Sequence, residues 1–215
     1  MSVLPARPRA RALLLLAAAA ALAFLAGMAL DRPLLRLATK AVPAACLAVM
    51  VAGDESRRGR GVAAGLGLSA LGDFLLEARP SFFLYGLIAF LAAHLAYVAA
   101  FLLASRRPAP LRAIPFAAWG ATAFALLRDE LGGFLLPVAV YMAAIVTMMW
   151  RASAVGPLAL AGAVLFGASD TLIAFDRFHA PLPWAPFPII LLYWAGQLLI
   201  ALSATARSGR DPGLA

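Results

Sequence analysis

Residues 65–76, GLGLSALGDFLL, and residues 162–173, GAVLFGASDTLI, share one template: Gly, then Leu three residues on, Asp eight on and Leu ten on. Each copy sets a lone carboxylate, Asp73 or Asp170, inside an otherwise apolar helix. In hydrocarbon an ionisable side chain costs roughly 2.5 to 3.5 kcal/mol on insertion scales, so it persists mainly where it lines a cavity or does chemistry. Here the arrangement occurs twice.

The rest of the chain has the same apolar character. Of its 215 residues 64% are hydrophobic and 13% charged, against the about 25% charged residues of a soluble domain. Apolar runs cover residues 12–30, 34–52, 61–76, 81–104, 111–127, 131–150, 157–175 and 184–206. Each is close to the ~20 residues that cross a bilayer, the third and fifth being short. The expected fold is all-α: one eight-helix transmembrane bundle over residues 12–206, a pseudo-repeat relating its third and seventh helices, and cytoplasmic tails at 1–11 and 207–215. The first run follows Arg7, Arg9 and Arg11 as a signal peptide would, and 21–23 (ALA) resembles a cleavage site. Its apolar stretch nevertheless exceeds the usual ~7 to 15 residues of a signal core, so we read it as the first helix.

Arginine alternates in density between the two sides of this bundle. Arg7, Arg9, Arg11, Arg57, Arg58, Arg60, Arg106, Arg107, Arg112, Arg151, Arg207 and Arg210 fall on one side. Arg32, Arg36, Arg79, Arg128 and Arg177 fall on the other. The positive-inside rule then puts both termini in the cytoplasm. The formal net charge of +8 reads as a topology signal with some attraction to anionic lipid headgroups. Without a soluble basic domain or aromatic-basic interleaving, no nucleic-acid partner is expected. Arginine-rich, alanine-rich composition without asparagine points to a GC-rich bacterial genome, hence a bacterial cytoplasmic membrane.

The third and seventh helices run in the same direction, which places Asp73 and Asp170 near their C-terminal ends at similar depth, in the outer part of the membrane. Lys40, the sole lysine, lies about six residues or ~9 Å from the outer end of the second helix and should meet the aspartates. A lysine, unlike arginine, can act as a cation or a base; its bland alternative is snorkelling. His94 sits mid-way along the fourth helix with Tyr97 on a neighbouring position of the same face. Tyr141 occupies the sixth helix, and Tyr193 and Gln197 lie four apart in the eighth; interhelical polar bonding is the competing reading of these groups. Met142, Met148 and Met149 read as packing, and so does the lone Cys46, which has no disulfide partner. His179, in a proline-rich loop with Trp184, reads as a surface residue. With one histidine there, a three-ligand zinc site is poorly supported, and no metal or other cofactor is expected.

Together these residues resemble the YhhN-type lysoplasmalogenases. Lys40, GLGLSALGDFLL, AAHLAY at 92–97, VYMAAI at 140–145, GAVLFGASDTLIAFDRF at 162–178 and YWAGQLLI at 193–200 occur in the family's order over roughly residues 34 to 205. The resemblance implies a membrane hydrolase that opens the vinyl-ether bond of a lysolipid substrate, giving fatty aldehyde and glycerophospho-ethanolamine or glycerophosphocholine. It also implies that Asp73 and Asp170 are catalytic, with Lys40, His94, Tyr97, Tyr141, Tyr193 and Gln197 supporting them. One departure stands out: proline often follows the family's lysine directly, whereas here Pro43 comes three residues later.

The chemistry stands apart from the resemblance. A vinyl ether opens when a proton adds to its β-carbon; water attacks the resulting oxocarbenium ion, and the hemiacetal collapses. Paired carboxylates can supply the acid and the base, as in glycoside hydrolysis, and two of them in a low-dielectric pocket do not readily both ionise. The sequence leaves open which aspartate is the acid. Lys40 could pair with one of them, and His94 or Tyr97 could orient water or bind a headgroup phosphate. A transporter or lipid-binding protein without catalysis is the second class, since repeated helices with intramembrane polar groups also mark transporters; neither aspartate helix, however, is interrupted by proline between its glycine and its aspartate. A cluster that only fixes helix pairing is the third.

Overall fold

The structure, a computed structural model, describes residues 8–54, 56–107 and 109–205, and among these every regular element is helical. Eight helical segments are long and apolar enough to cross a membrane. The first is α1 (Pro8–Ala29). The second is built from two pieces, α2 (Pro33–Thr39) and α3 (Val42–Ala52). Then come α4 (Arg57–Ala78), α5 (Phe83–Ala104), α6 (Ile114–Leu127), α7 (Leu135–Ser153), α8 (Pro157–Ala174) and α9 (Pro186–Thr205). Proline stands in the first turn of α2, α3 and α8, where its fixed φ suits the helix and its missing N–H is no loss. Ser56 caps α4 by accepting from the Gly59 N–H. The tail at 207–215 and residues 1–7 lie outside the described residues; Arg9 and Arg11 are already helical.

Burial is inverted relative to a soluble protein. Leu15, Leu34 and Leu136 are 72 to 80% exposed, while Ser69, Asp73, His94 and Gln197 are buried. An apolar outside around a polar interior is what lipid as solvent demands, and the protein is an integral membrane protein.

Five helices close a ring: α4 packs on α5, α5 on α7, α7 on α8, α8 on α9 and α9 back on α4. The two aspartate helices thus face each other across α5 and α9, while α6 packs outside against α7 and α1 against α2 and α3. Small residues permit the close approaches. A Cβ at Gly65 would run into the Tyr97 ring, and one at Gly162 would stand 2.7 Å from the Gly196 carbonyl oxygen. Gly72 and Gly167 likewise pack against side chains of α5 and α7. A Cβ at Gly67 would meet nothing within 4 Å.

Two local breaks shape one end of the ring. The second span is interrupted at Lys40–Ala41, with Pro43 opening α3. At the end of α8 the chain widens into a π-turn over Phe175–His179, a feature common at functional sites.

Candidate active site

Asp73 is five residues from the end of α4 and Asp170 four from the end of α8, so both arrive at the same end of the ring. They line one cavity of about 260 Å³, together with Arg36, Lys40, Glu77, Asp176 and Tyr193, and with Phe24, Phe90 and Ile190 among its apolar wall. A narrower, almost wholly apolar groove leaves the other side of Asp170 between α5, α7 and α8, lined by Leu87, Val138, Met142 and Ile145. The two spaces share Leu76, Phe83, Phe90, Asp170 and Ile173. Asp170 therefore stands where a polar chamber meets an apolar one.

Each carboxylate is held by a tyrosine. The Tyr193 hydroxyl donates to Asp73 Oδ2 at 2.7 Å and the Tyr141 hydroxyl to Asp170 Oδ2 at 2.9 Å. Asp73 is 2% exposed and Asp170 9%, yet Oδ1 of both has no protein hydrogen-bond partner among the described residues and is left to the cavity. His94 is fully buried. Its Nδ1 lies 2.7 Å from the Phe90 carbonyl oxygen, which can only accept, so Nδ1 carries a hydrogen. Its Nε2 lies 3.3 Å from Asp170 Oδ2, within ion-pair reach though out of line for a hydrogen bond.

Three expectations change. Lys40 lines the cavity with the aspartates, but its ammonium pairs with Glu77 Oε2 at 2.9 Å rather than with an aspartate. The reason is register: Glu77 lies one helical turn beyond Asp73, at the level of the broken second span. Arg36 reads on sequence as a topology charge, yet it bonds the other oxygen of Glu77 at 2.7 Å. Tyr97 and Gln197 do not reach the aspartates; the Tyr97 hydroxyl donates to Gln197 Oε1 at 2.6 Å, below the cavity. Gln197 Nε2 and Ser69 Oγ are buried there without partners. His179 is a surface residue, paired with Glu130 at 2.9 Å. Glu77, Arg36 and Asp176 were missed as site residues, although Glu77 follows Asp73, and Lys40 follows Arg36, at the four-residue spacing that shares a helix face. Among the described residues no group of three or more His, Cys, Asp or Glu could hold a metal ion.

Fold and site define a polytopic helical membrane protein with two buried carboxylates on one cavity, one of them, Asp170, at the junction of a polar and an apolar chamber. The chain belongs to the YhhN family, whose model matches residues 35–204. It is 41% identical over 146 residues to lysoplasmalogenase TMEM86B of Mus musculus, covering 68% of this chain and 62% of the relative. It is 37% identical over 162 residues to lysoplasmalogenase TMEM86A of Homo sapiens, covering 69% and 65%. Against the lysoplasmalogenase of Mycobacterium tuberculosis (strain CDC 1551 / Oshkosh) it is 34% identical over 181 residues, covering 78% and 69%. The chain spans about three fifths of the length of the TMEM86B relatives. No solved structure matches it significantly.

Proposed function

We propose that this protein is an intramembrane lysoplasmalogenase, cleaving the vinyl ether of a lysoplasmalogen to a fatty aldehyde and glycerophospho-ethanolamine or glycerophosphocholine. The observation that carries the reading is the place of Asp170 and Asp73: a vinyl ether is where a lipid's apolar chain meets its polar headgroup, and Asp170 lies where the groove meets the cavity. The names of the relatives supply the bond.

In this reading the alkenyl chain occupies the groove beside Leu87, Val138 and Met142. Asp170, the acid, gives its proton to the β-carbon; the C=C π electrons take it up and the α-carbon becomes an oxocarbenium ion. A water molecule loses a proton to Asp73 and adds to that carbon. The hemiacetal's C–O bond to glycerol then breaks, the glycerol oxygen gaining a proton as the hydroxyl loses one. One water is consumed and nothing is oxidised. The proton taken by Asp73 returns to Asp170 through the cavity that both line, which resets the pair; His94 Nε2 stands beside Asp170 Oδ2, and Tyr141 and Tyr193 hold the carboxylates in register. A positioned acid or base contributes typically 10² to 10⁴ in rate.

Arginine density puts both termini in the cytoplasm of a bacterial cell and the cavity towards the outer face. The test is fatty-aldehyde release from a lysoplasmenyl lipid by the purified protein in detergent, run in D₂O. The proposal expects aldehyde with one deuterium on its second carbon. No aldehyde from folded protein would overturn it. One observation favours a second reading, lipid passage without chemistry: the hydrogen bonding of the second span lapses beside the cavity, at Lys40–Ala41, while its backbone stays α-helical, and polar groups at such intramembrane positions also mark transporters. Movement of a labelled lysolipid across vesicles, without aldehyde, would select it.

A further inference from the structure

The charges around the cavity are unevenly matched from wall to wall. On the α2 and α4 wall, Arg36 and Lys40 share a single acid, Glu77, which leaves one positive charge in formal excess. Their donors are not used up. Arg36 Nε is buried without an acceptor, and the Lys40 ammonium, with three hydrogens, gives one to Glu77. At the end of α8, Asp176 lines the same cavity. Its Oδ1 accepts from the Leu182 N–H, and no cation lies within ion-pair reach of it among the described residues. The neighbouring Arg177 is directed at the Phe83 ring, 4.8 Å from its centroid. Asp73 and Asp170 are bound to their tyrosines between these two walls.

A cavity positive on one wall and negative on the other complements a zwitterion. We propose that Arg36 and Lys40 bind the phosphate of a phospho-amine lysolipid headgroup and that Asp176 meets its ammonium, so that these three residues determine headgroup specificity. Arginine presents a planar fork of donors that suits phosphate oxygens, and lysine adds a point charge. Glu77 keeps the two cations aimed at the cavity when no lipid is bound. Because Arg36 and Lys40 stand four apart on one helix, at the break in the second span, their spacing is set by backbone: the Lys40 N–H bonds the Arg36 carbonyl at 3.0 Å. This assignment rests on the hydrolase reading for the kind of lipid bound, but not for its test.

Binding of saturated alkyl-ether lysolipids, which carry no vinyl ether to cleave, is measured by calorimetry on the full-length protein in detergent. Three probes are used: the phosphocholine, the phosphate monoester and the uncharged alkylglycerol. Wild type is expected to bind the phosphocholine at least tenfold more tightly than either of the others. R36Q should reduce the phosphocholine-to-alkylglycerol ratio at least tenfold. D176N retains an oxygen for the Leu182 N–H and should reduce the phosphocholine-to-monoester ratio by a similar factor. If R36Q does not purify folded, K40Q reads the same ratio with Arg36–Glu77 intact. Equal binding of the three probes by wild type, or variants that weaken all three alike, would overturn the proposal. The predicted order without aldehyde release from a lysoplasmenyl lipid would remove only the hydrolase reading; aldehyde release with equal binding would remove only this one.

Discussion

Among single residues, side chains of similar chemistry differ in what they touch. Tyr193 donates to Asp73 whereas Tyr97 donates to Gln197. Losing one such bond costs about 1 kcal/mol. Y193F should therefore lower kcat by roughly a factor of five to ten, while Y97F should lower the unfolding midpoint in detergent and change kcat less than threefold. H94N, which removes the ring nitrogen facing Asp170, should reduce kcat by on the order of a hundredfold, read as aldehyde release under saturating lipid. Asp73 and Asp170 were legible in the sequence because a carboxylate inside an apolar run demands a cavity or a reaction. Glu77 was not, because the apolar run ends at Leu76 and the acid falls where a loop begins on hydropathy alone. The helix continues to Ala78, and that last turn carries Glu77 back to the cavity.

At the scale of the element, glycines that look alike in the sequence differ in what a methyl group would meet. At Gly162 it would press on the Gly196 carbonyl oxygen at 2.7 Å and the Ile200 amide nitrogen at 2.9 Å. Both are backbone and cannot swing aside, so G162A should separate α8 from α9 and lower the unfolding midpoint in detergent. At Gly67 it would meet open space, and G67A should be neutral or stabilising, by up to ~1 kcal/mol from helix propensity. A repeated Gly-to-Asp spacing is visible in sequence, but which glycine faces a neighbour depends on helix rotation within the bundle. The break in the second span has a clearer cause, since Pro43 denies an N–H to the preceding turn and α3 begins anew there. The break falls at Lys40–Ala41, and Arg36 and Lys40 on its N-terminal side line the cavity.

At the scale of the whole molecule, eight spans were legible from hydropathy because bilayer thickness fixes helix length. Their arrangement in a ring was not, because it depends on packing between helices distant in sequence. Arg58 bonds the Ser203 carbonyl and Arg151 the Arg107 carbonyl, so the arginine-rich end is also where helices are tied across the bundle. With that end in the cytoplasm, a C-terminal reporter active only in the periplasm should be silent, and a C-terminal fluorescent protein that folds in the cytoplasm should be bright. The opposite pair of results would turn the cavity inward. The central claim is that Asp73 and Asp170 act together on a vinyl ether, and its most direct test is the rate of fatty-aldehyde release by D73N and D170N beside wild type, each purified folded and monodisperse. Wild type should release aldehyde and both variants should lose at least a hundredfold in rate; wild-type rates in either folded variant would rule out the joint role of the two aspartates.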